Sequence, residues 1–301
     1  MRNNKPSATA LLILKSMVFL STDSYRRDLV PEDMSKISAR FLETKTLDQK
    51  GFIKIFKRKW FRPLIWFLER LLLPGIILHY VLRKRYIEEI IFRIINNGKV
   101  KQIVILAAGF DSLACRLSQR FPGISFIEID HPATQESKKK VLLETGLQSP
   151  NLIFLAADLS RERWEDRVLS MKTFDPQAGT LFIAEGITMY LNKEQIQQLF
   201  SFVSKYASPG SQFIFTFMER RDNGVIDFKH THPFVNLWLD WKKERFKWGI
   251  SQRELPGFLK ERKFSFAEMA SSDTLRSKYF SALPDNEPLA EGECIYVARV
   301  D

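Results

Sequence analysis

QIVILAAGFD, residues 102–111, decides the fold. Its first five or six residues are apolar and rich in β-branched side chains, and the run is too short for a helix. It therefore reads as a central strand buried on both faces. Upstream, Ile87, Ile90, Ile91, Ile94 and Ile95 form one helical face closed by Asn96-Asn97-Gly98. Downstream, a helix over 112–121 stops at Pro122-Gly123, and a second strand over 125–129 ends in Asp130. The alternation continues with a helix over 133–144, a strand over 152–156 before Asp158, and a strand over 180–184 before Glu185. Asn192 and Gln195 form a capping pair for a helix carrying Ile196, Leu199, Phe200 and Val203 on one face. A strand over 212–217, a helix over 253–263 and closing strands over 264–269 and 293–300 complete the pattern. The expectation is α/β: a Rossmann-like, mostly parallel, seven-stranded sheet.

Residues 1–82 lack a helix–strand alternation of their own and read as a helical cap on the same compact unit as 83–301. Residues 219–250 break the rhythm, with Trp238, Trp241 and Trp248 among charges, and read as an inserted lid. Within the cap, 61–82 is long enough to raise a membrane span, but Glu69 and Arg70 sit at its middle and Pro74-Gly75 divides it. With Lys54, Lys57, Arg58, Lys59 and Arg62 just upstream, two readings stand: a basic amphipathic helix lying on an anionic membrane, or a cap helix exposing solvated lysines. Arg2 and Lys5 precede an apolar stretch over 8–14. Lys15 interrupts it and no small-x-small site follows, which argues against a secretory signal.

Of the 301 residues 45% are hydrophobic and 27% charged, the balance of a globular chain with a sizeable core rather than a disordered one. Lys and Arg exceed Asp and Glu by 46 to 35, a net charge of +11 that attracts anionic partners without naming one. The two cysteines, Cys115 and Cys294, are far apart and outside any CxxC pair. They indicate neither a disulfide framework nor a metal site, and they fit a reducing cytoplasm.

The chemistry gathers where strands end, because ligands of open α/β sheets bind at the carboxyl ends. Gly109 permits close backbone approach, Asp130 can accept from two ribose hydroxyls, Asp158 can bond an adenine amino group, and Glu185 can neutralise an ammonium. Each also has a bland reading as a turn, a cap or a surface charge. Their recurrence after successive strands favours a nucleoside ligand. A dinucleotide dehydrogenase is disfavoured: the stretch 107–112, AAGFDS, has one Gly of the three that a GxGxxG loop needs, and Asp111 would repel a phosphate.

QIVILAAGFDSLACRL (102–117), IEIDHPATQESK (127–138), AADLSRERW (156–164) and LFIAEGITMYL (181–191) together resemble, in order and spacing, the leucine carboxyl methyltransferase-like family, including its bacterial polyketide-type O-methyltransferase branch. PSATALL (6–12) and LRKRYIEE (82–89) resemble it too, so the likeness covers most of the chain. The resemblance implies a class I methyltransferase sheet that binds S-adenosyl-L-methionine. Arg83 would hold the cofactor's carboxylate, Gly109 would pack beside its methionine portion, Asp130 would bind the ribose, Asp158 and Leu159 would contact the adenine, and Glu185 the amino group. The chain departs from the family at Ala107 and Leu113, where Gly and Arg are usual. A methyl at 107 crowds the cofactor loop, and Leu113 alters substrate contacts.

The expected function is O-methylation of a carboxylate or hydroxyl on a small, apolar acceptor. Displacement at a sulfonium asks the protein mainly to position the reactants and exclude water. Tyr190 is the candidate catalytic, substrate-facing group, with packing as its alternative role. His230 and His232 in HTHP would offer a base from the lid, or stand simply exposed. Residues 61–82 and 238–248 are expected to cover the acceptor pocket. The rivals are a non-catalytic cofactor-binding protein of this fold, and a membrane-peripheral or RNA-modifying methyltransferase. RNA is the weaker of these, because no nucleic-acid motif accompanies the basic residues.

Overall fold

A computed structural model of the protein describes residues 8–301 apart from Lys57, Glu162, Lys243, Ala282 and Asp285. Arg2, Lys5 and Lys57 of the basic stretches above thus lie outside the described residues. Seven strands form one sheet: β1 (Gln102–Leu106), β2 (Ser125–Asp130), β3 (Leu152–Ala156), β4 (Thr180–Ala184), β5 (Gln212–Met218), β6 (Phe264–Ala270) and β7 (Glu293–Val300). Their order is β3-β2-β1-β4-β5-β7-β6. The first five pair in parallel, and β7 runs antiparallel to both β5 and β6. The strand order reverses between β1 and β4, and that switch point leaves a crevice at their carboxyl ends.

The two-residue period of the strands divides the core. Ile103, Ile105, Leu181, Ile183 and Ile214 point to one face, and Val104, Leu106, Phe182, Phe213 and Phe215 to the other. The first face is covered by α1 (Ala8–Ser21), α2 (Glu32–Glu43), α5 (Ile76–Asn96), α6 (Leu113–Arg120) and α7 (Pro132–Thr145), with α3 (Lys50–Phe56) and α4 (Arg62–Leu72) beyond them. The second is covered by α8 (Trp164–Leu169), α9 (Lys193–Tyr206) and α11 (Leu255–Lys260). α10 (Pro233–Lys242) and α12 (Ser272–Tyr279) lie in the connections before β6 and β7. The capping box at Asn192 and Gln195 opens α9 as its spacing requires.

Several boundaries differ from the pattern in the sequence. The helix carrying the Ile87–Ile95 face starts at Ile76, so it passes through residues 82 and 83 without a break. Its start is set by Gly75, which takes φ 79° and meets the backbone of Leu289 so closely that a Cβ would lie 2.4 Å from it. The apolar segment 61–82 is consequently two helices, α4 and the first turns of α5, bent by 89°. No single described helix is long and apolar enough to cross a membrane, although this bent pair would be by length and composition. Residues 219–250 contain α10, and a parallel bridge between Glu219 and Ile250 joins the two ends of the segment. The helices α8, α10 and α12 are absent from the sequence reading above: α8 has only six residues, and α10 and α12 carry their apolar residues among charges.

Arg116 of α6 joins α5 and α2. Its guanidinium meets both oxygens of Glu88 on α5 at 2.6 and 2.5 Å, and Asp33 on α2 at 2.8 Å. A bidentate arginine fixes direction as well as distance, so α2 is held against α5 and α6. α1 then lies across the carboxyl ends of the strands.

Candidate cofactor and acceptor site

Two adjoining cavities open at the carboxyl ends of β1 to β4. One, of about 130 Å³, is lined by α1, by residues 105–112 and by Arg83, Lys84 and Glu185. The other, of about 340 Å³, is lined by Asp158 and Leu159 on one side and by Glu244 and Lys247 on the other. Ala107, Asp130, Ile187 and Tyr190 line both, so the two form one elongated site divided by the end of β1.

Asp130 ends β2 inside this division. One carboxylate oxygen accepts the backbone N–H of Gly109 and the other that of His131. Burial pushes its carboxyl up, and the two N–H donors oppose that rise. Each oxygen keeps a further lone pair, which suits a pair of adjacent hydroxyls. Gly109 has φ 53°, and the space beside it faces Ala10 of α1 at 3.7 Å. Ala107 also takes a positive φ, 56°, which accounts physically for the glycine usual at that position. Leu113 begins α6 with its side chain in the core, among the buried residues of the first face rather than in either cavity. Its position is thus one of core packing behind the cavities.

At the other end of the smaller cavity the charges form a chain. The Arg83 Nε donates to Glu185 at 2.9 Å and its Nη1 to Glu293 at 2.6 Å. Glu293 also bonds the His79 ring at 2.7 Å. The Lys84 ammonium meets Glu185 at 3.1 Å and Asp111 at 2.9 Å. Burial works against ionisation throughout. Even so, Lys84 brings Asp111 down to about 2, and Arg83 with His79 brings Glu293 down to about 2. Arg83 is pushed above the ordinary arginine value by Glu293 and Glu185 despite its burial. Two cations thus stand among three carboxylates, an arrangement that can receive a group carrying both signs. Lys84, Asp111, Glu293 and His79 were not among the residues singled out from the sequence for binding. A buried acid at the start of the apolar run ECIYVARV was the one signal for Glu293.

Asp158, two residues past β3, accepts from the Ser160 N–H at 2.9 Å and hydroxyl at 2.6 Å, and Leu159 beside it is buried. Tyr190 closes a 3₁₀ turn, Thr188–Tyr190, and packs on Phe246 with ring centroids 5.6 Å apart. Burial pushes its phenol up, so at neutral pH it is a hydroxyl and not a base. His230 and His232 line neither cavity: His230 is exposed at φ 58°, and His232 stacks on Phe234. Residues 219–250 instead contribute Glu244, which accepts from the Thr9 hydroxyl at 2.5 Å, and Lys247, whose N–H donates to the Met189 carbonyl at 2.7 Å. Residues 61–82 do not line the site. The cover on that side is α1, through Ala10, Ile13, Leu14 and Met17, because the start of α5 is buried in the core and α4 lies outside it. Among the described residues no group of three or more His, Cys, Asp or Glu is placed to hold a metal.

A doubly wound seven-stranded sheet with a reversed seventh strand and a ligand crevice at its switch point defines a Rossmann-like fold of the class I methyltransferase type. The leucine carboxyl methyltransferase family model matches residues 20–204, and the chain belongs to that family. A protein of Mycobacteroides abscessus, named as a candidate S-adenosyl-L-methionine-dependent methyltransferase, is 36% identical over 131 residues, 43% of this chain and 42% of the relative. One of Parafrankia sp. with the same description is 35% identical over 167 residues, 53% and 52% of the two chains. The chain spans about half the length of the curated relatives it matches. Among solved structures, magnesium protoporphyrin IX methyltransferase of Synechocystis PCC 6803 with bound SAH is 12% identical, with a TM-score of 0.47 over 74% of this chain and 85% of that one.

Proposed function

We propose that the protein is an S-adenosyl-L-methionine-dependent O-methyltransferase acting on the carboxylate or hydroxyl of a small, apolar acceptor, with residues 1–82 as cap and 219–250 as lid. The observation that carries this reading is the pairing, in one elongated site, of Asp130 at the end of β2 with the Arg83–Glu185–Lys84 cluster beyond the end of β4, across β1. When bound, the cofactor supplies a methyl group on a sulfonium, open to in-line displacement. Asp130 would take the ribose, Asp158 and Leu159 the adenine, and Gly109 the close approach of the methionine chain. Arg83 would face the carboxylate and Glu185 the ammonium. Because Arg83 and Glu185 already bond each other, the cofactor's two charges would insert into an existing pair rather than meet isolated side chains.

Apolar side chains of α1 and Ile187 wall the acceptor side and exclude water. A carboxylate acceptor needs no base. For a hydroxyl acceptor, Glu244 is the carboxylate the lid segment brings to the cavity, and the Tyr190 hydroxyl would orient the acceptor rather than deprotonate it. Calorimetric titration tests the cofactor assignment. Losing a charge-assisted bond in a desolvated site costs ~1.5–3 kcal/mol, so Glu185→Ala or Arg83→Ala should weaken binding by about 10-fold to 150-fold. Arg83→Lys and Glu185→Gln serve where the alanine variants fail to fold. Wild-type affinity in folded variants at both positions would remove the assignment, and mass spectrometry of candidate acids and phenols then tests transfer itself.

A further inference from the structure

We propose that the outward faces of α4 and α10, with the cations around them, form a surface that docks peripherally on anionic lipid bilayers. α4 is amphipathic in the reverse sense. Leu64, Phe67, Leu68 and Leu71 fall at i, i+3, i+4 and i+7, and all four are exposed, Phe67 to 64%. The helix turns its one acid, Glu69, inward with Ile65 and Trp66 toward the core. On α10, Phe234, Leu237 and Trp241 repeat the stripe and are 63–68% exposed, while Leu239 is buried. The two helices adjoin: the His232 N–H just before α10 donates to the carbonyl of Leu72 at the end of α4, at 2.9 Å. An exposed patch of this kind needs a partner.

Charge selects the partner. Residues 50–72 carry seven Lys or Arg against a single acid, the buried Glu69. Arg70 is exposed on α4 itself and Arg58 four residues before it, and Lys54 is exposed on α3. On α10 the Lys242 ammonium lies 4.0 Å over the Trp241 ring, a pair with one apolar and one hydrated end that suits the headgroup level. The one acid of α10, Asp240, is exposed but paired with Arg245, so the net charge about the apolar anchors is positive and matches an anionic bilayer better than a protein surface. The contact lies on the membrane rather than through it, because α4 has 11 residues and the helix after the 89° bend is buried in the core. α10 leads directly into Glu244 and Lys247 at the larger cavity. If the methyltransferase reading holds, an acceptor dissolved in the bilayer would thus meet the site beside its own solvent. The docking itself does not depend on that reading.

Flotation of the full chain with vesicles of phosphatidylcholine alone, or with one third phosphatidylglycerol, tests it. Binding to the anionic vesicles is expected, falling at high salt. Arg58→Glu with Arg70→Glu should reduce partition by about fivefold or more per residue. Phe67→Ser with Leu71→Ser, or Trp241→Ser alone, should reduce it about tenfold. These side chains are exposed, so circular dichroism should show unchanged folding. No partition to anionic vesicles, equal partition to neutral ones, or undiminished binding by the serine variants would overturn the proposal. So would a self-association in sedimentation that the same variants abolish, which would make the face an interface between copies. S-adenosylmethionine calorimetry on the same variants reports separately on the methyltransferase reading.

Discussion

Ala107 holds a left-handed backbone, φ 56°, at the wall shared by the two cavities. An L-residue there costs roughly 1–2 kcal/mol, and glycine returns roughly 0.5–1 kcal/mol of that through its freer unfolded chain. Ala107→Gly is therefore expected to stabilise the fold by about 0.5–1 kcal/mol, raising the urea midpoint without changing the slope. It also removes a methyl from the loop where a cofactor would pass, so affinity for S-adenosylmethionine should not fall. A lower midpoint in Ala107→Gly would show that the alanine is not strained.

At the scale of elements, the junction of α4 and α5 couples a helix end to pH. Glu69 reaches from α4 to the first turn of α5, accepting from the Ile77 N–H at 3.4 Å, while its Oε2 is buried with no hydrogen-bond partner among the described residues. Burial pushes its carboxyl up to about 7; the N–H groups at the helix start oppose the rise and Glu287 adds to it. An acid whose folded value exceeds its ordinary 4.5 favours folding when protonated. Its contribution is full below about 4.5 and disappears as pH rises through 7, a change on the order of 3 kcal/mol. Glu69→Gln should flatten that part of the stability profile. Parallel wild-type and variant curves between pH 4.5 and 7.5 in chemical denaturation would refute the coupling.

For the molecule as a unit, the proposed cofactor would lie between α1 and the strand ends, so binding should hold both together. At 100 times its Kd a ligand specific to the folded state adds about 2.7 kcal/mol, which for a chain of this size raises Tm by about 5 °C. S-adenosylmethionine should give that shift in calorimetric melting, and NAD none. A shift with NAD alone would point to the dinucleotide chemistry that AAGFDS argues against.

The sheet, and the edge at which its cavities open, are legible in the residues alone. Strands buried on both faces must be continuously apolar, so QIVIL, TLFIA and their fellows show as runs. The acids that interrupt them, Asp130, Asp158 and Glu185, show as their ends. Family resemblance added Arg83. What Arg83 touches is set by packing, because Glu293 lies 210 residues away and reaches it through β7, the one strand among the described residues that runs backward. Packing also decided which face of α4 meets solvent. The heptad-like spacing of Leu64, Phe67, Leu68 and Leu71 is the same whether a helix buries its apolar stripe or exposes it. The choice was made by the bend at Gly75 and by Glu69 turning inward to the start of α5. Periodicity records that a face is apolar; what lies opposite that face depends on packing among distant parts of the chain.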